Sequence, residues 1–370
     1  MSEPDARVGD VGTSPILAKP VSTPPAPHGT TPAVDSGDSW WRSDASEALR
    51  RNLALVGVLL MIFLVGAITA PEVFLDVQRL WDNEMTVLRQ SAAIGVVTVG
   101  MTFVIIGGGI DLSVGALLAL SSVWATTVAT QQFGPAGIVF TALAVGTIGG
   151  LINGLLISYG RIVPFIATLA MLVAARGLAQ LISGKLTQRV STENRAINEI
   201  AEINLLGIPL LVVILLVVAA LGWVLLNRTT FGRRTFAVGG NPEAARLAGI
   251  NLRIHTVLLY VLSGLCCGIA AIMVTSLGNA GSSTHGDLYE LDAIAAAIIG
   301  GTVLAGGRGS IVGAILGVVI FSGITNLFVI NNMVQEWRLI VKGAIIVAAV
   351  LVQQFGFGWR RRKTPKVAAT

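Results

Sequence analysis

An aspartate among glycines, between two long apolar runs, is the residue in this chain best placed to do chemistry. It is Asp111 in Gly107–Gly115, GGGIDLSVG, with Ser113 two residues further on. An ionisable group inside a bilayer is costly and by default marks a solute path or a gate. A second reading stays open beside it. Asp or Ser ahead of an apolar run also satisfies free backbone N–H groups as a helix cap, in which case Asp111→Ala costs about 0.5–2 kcal/mol. The neighbouring Gly108 and Gly109 permit a helix break or a close backbone approach. Irregular backbone at membrane depth must line a cavity or be buried in protein.

The second stretch with work to do is Asn227 to Ile254. Leu205–Leu226 before it and His255–Gly278 after it carry no Asp, Glu, Lys or Arg, and each is long enough to cross a bilayer. The loop between them holds Arg228, Arg233, Arg234, Arg246 and Arg253 against Glu243 alone. Short loops rich in Lys and Arg stay on the cytoplasmic side. Within it, Asn241-Pro242-Glu243 has the pattern of a helix start: an N-cap, Pro at the first position, an acid in the first turn. Ala244, Ala245, Arg246 and Leu247 favour helix, and Gly249 ends it. So short a helix has too little apolar surface to form a core and is suited to meeting another protein; a solvated basic connection is the alternative.

The elements that position these stretches are membrane helices. The chain has 370 residues, 54% hydrophobic and 12% charged, against about 25% charged in a soluble domain. The fold class is therefore an all-α membrane protein. The length criterion counts ten apolar spans, near 53–70, 87–106, 113–130, 135–157, 164–183, 205–226, 255–277, 290–305, 310–330 and 337–355. Residues 1–48, rich in Pro, Ser, Thr and Gly, read as a disordered cytoplasmic tail in which Trp40 and Trp41 lie at headgroup level. Residues 49–355 form the transmembrane domain, with 227–254 as its cytoplasmic loop. Residues 356–370 form a basic cytoplasmic tail. An even span count places both termini on one side, and their basic character makes it the cytoplasm. Val114-Gly115-Ala116-Leu117-Leu118 is echoed by Val312-Gly313-Ala314-Ile315-Leu316, each after a glycine cluster, the pattern of an internal repeat. Gly146, Gly149, Gly150 and Gly154 are spaced for close helix packing. Cys266 and Cys267 are adjacent in an apolar run and read as small packing residues. The net charge of +5 speaks to loop topology and acidic lipid rather than nucleic acid. His28, His255 and His285 are too scattered for a metal site.

Glu243-Ala244-Ala245 followed by Gly249 resembles the coupling loop of permease subunits in ATP-binding-cassette importers. Residues 104–115, VIIGGGIDLSVG, resemble the signature of the ribose, xylose and galactoside permeases within that family. Further matches are residues 160–169 (GRIVPFIATL), 236–245 (FAVGGNPEAA), and Ile298-Ile299-Gly300-Gly301 leading to Gly306-Gly307-Arg308-Gly309-Ser310. They run in order over roughly residues 50 to 355; the long N-terminal tail departs from the pattern.

The resemblance implies a multi-pass permease of the bacterial inner membrane, non-catalytic itself, that imports a monosaccharide or related polyol. It implies a separate ATPase subunit holding ATP and Mg, an extracytoplasmic sugar-binding protein, and a second permease subunit, most simply an identical copy. Asn241, Glu243, Ala244, Ala245, Arg246 and Gly249 would couple to the ATPase. Gly108, Gly109, Asp111, Ser113, Asn153 and Asn326 would line or gate the path. The chain lacks a GxxxxGK[ST] phosphate loop, and Gly184-Lys185 is followed by Leu186. It also lacks a run of intramembrane acids for a proton relay, which weighs against a stand-alone secondary transporter. Import of nucleosides or amino acids is the nearer alternative. Other polar candidates within spans are Gln90, Thr98, Thr102, Ser121, Ser122, Thr168 and Trp124. For the hydroxyls the competing reading is a bond to their own helix, and for Asn153 and Asn326 a bond to a neighbouring helix. Arg176 reads as a buried ion-pair member, and Glu290 and Asp292 as interfacial.

Overall fold

The computed structural model describes residues 44–361. Contacts set Ala48–Thr370 apart from Met1–Glu47 as a compact unit, and the description concerns that unit. The expectations for residues 1–43, with Trp40 and Trp41, and for the basic residues beyond Arg361 lie outside the described residues.

Six helices among the described residues are long and apolar enough to cross a membrane: α3 (Val77–Ile106), α6 (Gly134–Ser158), α7 (Pro164–Ser183), α9 (Leu210–Arg228), α12 (Leu252–Gly278) and α14 (Ile311–Ile330). The first and last long helices are α1 (Asp44–Thr69) and α15 (Gln335–Arg361). Both run past the boundaries expected from hydropathy, so Asp44–Ala48 and Gly356–Arg361 are helical rather than tail. A helix ends where its backbone bonding ends, not where its apolar run does.

Two of the ten expected spans differ in kind. Residues 113–130 form α4 (Val114–Ala125), of 12 residues, then the single turn α5 (Val128–Gln131). Residues 290–305 form α13 (Tyr289–Ile299), of 11 residues, and then a glycine-rich loop. At a rise of ~1.5 Å per residue neither covers the ~30 Å hydrocarbon core. The expected span 205–226 begins later, at Leu210. Strands β2 (Asn204–Leu205) and β3 (Ile208–Pro209) pair ahead of it through the two-residue turn Leu206–Gly207, both residues at positive φ. The loop 184–204 is also structured. In it β1 (Gln188–Arg189) pairs with β4 (Ala280–Gly281). The helix α8 (Arg195–Glu202) turns Ile197 and Ala201 inward, and the Ala201 N–H donates to Ser276 Oγ at 2.8 Å.

α12 is the central helix, packed chiefly on α6 and then on α3 and α4. From Ser91 to Ile106 nearly every residue of α3 is buried, on all faces, as expected of a helix enclosed by others. Cys266 and Cys267 are buried in the same core and free. The α6–α12 contact works because small residues let two backbones touch. A Cβ on Gly150 would lie 2.2 Å from the Tyr260 carbonyl oxygen, and one on Gly264 2.2 Å from that of Gly146. Gly149, by contrast, faces Leu117 of α4.

Gly150→Val should therefore push α6 from α12 and cost about 1–3 kcal/mol. Gly177→Ala, where nothing lies within 4 Å, should leave the melting temperature in detergent unchanged or slightly raised. Equal melting of parent and Gly150→Val would refute the close contact.

Candidate functional site

Asp111 lies in the break between α3 and α4, with none of its surface exposed. The break begins at a glycine. Gly108 has φ +87°, its N–H donates to the Ile105 carbonyl, and the Gly109 N–H reaches back to Val104. That pair of bonds is a Schellman closure, which satisfies carbonyls left open by the last turn. α13 closes the same way: Gly301, at φ +85°, donates to Ile298, and Thr302 to Ala297. Each closure follows Ile-Ile-Gly-Gly in the sequence.

Beyond the glycines the segment is held by three helices. The Ser113 N–H and hydroxyl donate to Asp111 Oδ1 at 3.0 and 2.6 Å. Ser263 of α12 donates to Oδ2 at 2.8 Å. Asn153 of α6 donates through Nδ2 to Ser113 Oγ at 2.8 Å. The Ile110 carbonyl accepts from Tyr260 of α12 and Thr168 of α7, each at 3.3 Å. Every group facing the carboxylate donates, an arrangement suited to an acceptor-only anion. Neither Asp111 nor Ser113 is an ordinary cap. Ser113 precedes α4 without a side-chain cap bond, because its hydroxyl is committed to Asp111. Asn153 Oδ1 is buried without a protein partner.

Asn326 is not part of this cluster. It lies on α14 and donates to Asn83 Oδ1 at 3.1 Å. Thr98 and Thr102 bond carbonyls of their own helix, at 2.7 Å each. Ser122 joins Thr275 and His285 Nδ1, each at 2.9 Å. Arg176 pairs with Asp287 at 2.9 Å and also donates to the His285 carbonyl, in line with the ion-pair reading. Glu290 and Asp292, at the start of α13, are part-buried. Asp292 pairs with Lys342 at 3.0 Å, and Glu290 lies close to Gly115.

The loop 227–254 holds two helices where one was expected. α10 (Thr230–Gly240) starts at Thr229, whose hydroxyl accepts the Gly232 N–H at 3.3 Å. Its Phe231 ring lies 4.8 Å from that of His255, and Thr235 Oγ1 is 3.0 Å from His255 Nε2. α11 (Pro242–Leu247) follows, capped as its sequence predicts: Asn241 Oδ1 accepts the Ala244 N–H at 3.0 Å. Gly249, at φ +83°, donates to Arg246, and Ile250 to Ala245, a third Schellman closure. Asn241, Glu243, Ala244, Arg246 and Gly249 are exposed, whereas Ala245 turns inward at 4% exposure. It has to, since one side of this helix rests on the protein. Glu243 does not point a free charge outward; it pairs with Arg246 one turn on. The Arg246 guanidinium holds the Glu243 carboxyl below the usual carboxylate range.

The two regions meet backbone to backbone. The Gly307 N–H donates to the Ile106 carbonyl at 2.8 Å. A Cβ on Gly239, near the end of α10, would lie 1.8 Å from the same carbonyl oxygen and 2.7 Å from the Gly307 nitrogen. The ends of α3 and α10 and the loop after α13 thus form one junction. Ser263, Tyr260 and Gly239 were not among the residues singled out from the sequence. A lone Ser or Tyr in an apolar helix carries no spacing signal, and Gly239 stood inside a matched stretch without a distinguishing mark.

A family model described as "Branched-chain amino acid transport system / permease component" matches residues 84–350. The ribose import permease protein RbsC of Bacillus subtilis is 41% identical over 273 residues, 74% of this chain and 84% of that protein. The galactofuranose transporter permease protein YtfT of Escherichia coli is 36% identical, covering 81% of this chain and 88% of its own. The galactose/methyl galactoside import permease protein MglC of Escherichia coli is 32% identical, covering 82% and 94%. No solved structure matches the chain.

Asp111→Ala leaves three buried donors without an acceptor at ~1 kcal/mol or more each, so the expected loss is about 3 kcal/mol, above the cap expectation. Asp111→Asn keeps a carbonyl acceptor and should lose less. Denaturant or thermal unfolding in detergent measures both; no difference between the Ala variant and the parent would show the cluster to be energetically idle.

Proposed function

The chain belongs to the branched-chain amino acid transport system / permease component family, and we propose that it is the membrane subunit of an importer for a monosaccharide or related polyol. It works in the bacterial inner membrane as a multi-pass protein, with ATP and Mg held by a separate ATPase subunit. The observation that carries this reading is α11, a largely exposed, doubly capped helix in the chain between two helices long and apolar enough to span, α9 and α12. The relatives are named for ribose, galactofuranose or galactose, which favours a sugar over the amino acids of the family description.

Ten segments enter the membrane: α1, α3, α4, α6, α7, α9, α12, α13, α14 and α15. α4 and α13 each go only partway, so both termini remain cytoplasmic. The Ile-Ile-Gly-Gly closures of α3 and α13, each leading to Ser and a helix containing Val-Gly-Ala, are the remnant of an internal repeat. A second copy of the chain completes the pore, and an extracytoplasmic binding protein delivers the sugar. ATP-driven motion of the ATPase subunit displaces α11, and α10 passes the displacement through the Gly239 junction to the break that holds Asp111. The Asp111 cluster acts as a pinned gate rather than as a sugar ligand, because its polar groups already face one another.

With the ATPase subunit and binding protein reconstituted in proteoliposomes, Glu243→Arg and Gly249→Trp should leave the permease inserted. Sugar-stimulated ATP hydrolysis should fall at least fivefold. The first variant sets two like charges one turn apart; the second forces a bulky side chain into positive φ. Undiminished stimulation in both would make residues 227–254 a mere connection. Uptake insensitive to ATP depletion would overturn the importer reading.

A further inference from the structure

A cavity of about 390 Å³ opens between α3, α13, α14 and α15, away from the Asp111 cluster. That size suits a small-molecule site. Its walls carry uncharged polar groups, among them Asn83 and Gln90 on α3 and Ser322, Thr325 and Asn326 on α14, with Tyr289 and Phe321 supplying aromatic rings. Asn326 donates to Asn83 Oδ1, but Asn83 Nδ2 is buried without a partner. That nitrogen lies behind the wall beside Glu84, so the amides at the open space are those of Gln90 and Asn326.

The charges present exclude some occupants. Lys342 donates to Asp292 at 3.0 Å and its Nζ lies 5.0 Å from the centre of the Phe321 ring. The two charges satisfy each other. A zwitterionic amino acid needs separated partners for its ammonium and carboxylate, and breaking a part-buried pair to supply them is costly. Val87, Ile94, Val329 and Ile330 also line the space, but a lipid chain alone would leave the Gln90 and Asn326 amides without exchange partners. A neutral polyhydroxylated ring fits both features: its hydroxyls exchange hydrogen bonds with amides, and its C–H face packs on an aromatic ring.

We propose that this cavity is a monosaccharide subsite on the transport path. Gln90 and Asn326 hydrogen-bond the sugar hydroxyls, Asn83 orients Asn326, and Phe321 packs against the ring. The proposal rests on the importer reading and adds to it the place where the permease itself touches the solute.

The test uses the complete reconstituted importer with radiolabelled D-ribose and, in parallel, D-galactose. Gln90→Leu and Asn326→Leu should each lower uptake tenfold or more, with unchanged membrane content and unchanged pull-down of the ATPase subunit. A second measurement does not depend on those variants folding. Thr325→Cys in the otherwise parental chain should react with a charged methanethiosulfonate reagent, since Cys266 and Cys267 are buried. Sugar supplied with the binding protein should slow that reaction at least fivefold. If the parent takes up sugar while both Leu variants stay within twofold of it, or if sugar leaves the labelling rate unchanged, the subsite is wrong and the importer reading stands. If the parent takes up neither sugar, the monosaccharide reading falls and the subsite with it.

Discussion

In a bilayer every backbone N–H and C=O must find its partner within the protein. A chain that breaks its helices at depth has to solve that problem locally. Here α3 and α13 both stop inside the bundle, and each closes with a glycine at positive φ that folds two N–H groups back onto the last turn. What remains after α3 is covered from the side: Tyr260 and Thr168 reach the Ile110 carbonyl, while Ser263 and Asn153 complete the hydrogen bonding around Asp111 and Ser113. The break can exist because α6, α7 and α12 close over it. The packing of α12 on α6 through Gly150 and Gly264 therefore serves more than compactness, since it holds Ser263 and Asn153 at the right depth.

That arrangement also ties the site into one unit. The aspartate is tied to the chain that follows it and to helices on either side, so it follows the segment rather than swinging alone. Meanwhile α10 meets the end of α3 through main-chain atoms at Gly239 and through Phe231, whose ring lies 6.1 Å from that of Phe103. At Gly239 there is no room for a side chain between the two backbones, because a Cβ there would lie 1.8 Å from the Ile106 carbonyl oxygen.

Much of this was legible in the sequence wherever one residue type has one physical use. Asn241 before Pro242, and Gly249 after Leu247, announced a capped helix because few residues cap and few accept positive φ. Gly107–Gly109 announced a break for the same reason. The long apolar runs gave most of the helices. Their depth was not legible: hydropathy measures apolar content, and α4 and α13 are as apolar as true spans while being half as long. α10 was missed because FGRRTFAVGG alternates charge with bulk in no clear helical stripe, and its stability comes from Phe231 and Thr235 against His255. Ser263 carries no mark of its role, since its meaning depends on which helix it faces. Asn326, singled out beside Asn153 because both are amides in apolar helices, lies in a different place from it, because chemical type does not encode position across the bundle.

The pairing of Glu243 with Arg246 along one face of α11 sets the character of the surface this helix presents. Its two charges cancel over a single turn, leaving Ala244 and the 75%-exposed Leu247 as the features with reach. The pair itself contributes little attraction at a distance and little that salt would screen. At α11 itself any recognition would rest on shape at short range, while Arg228, Arg233, Arg234 and Arg253 of the same loop keep its wider surface basic.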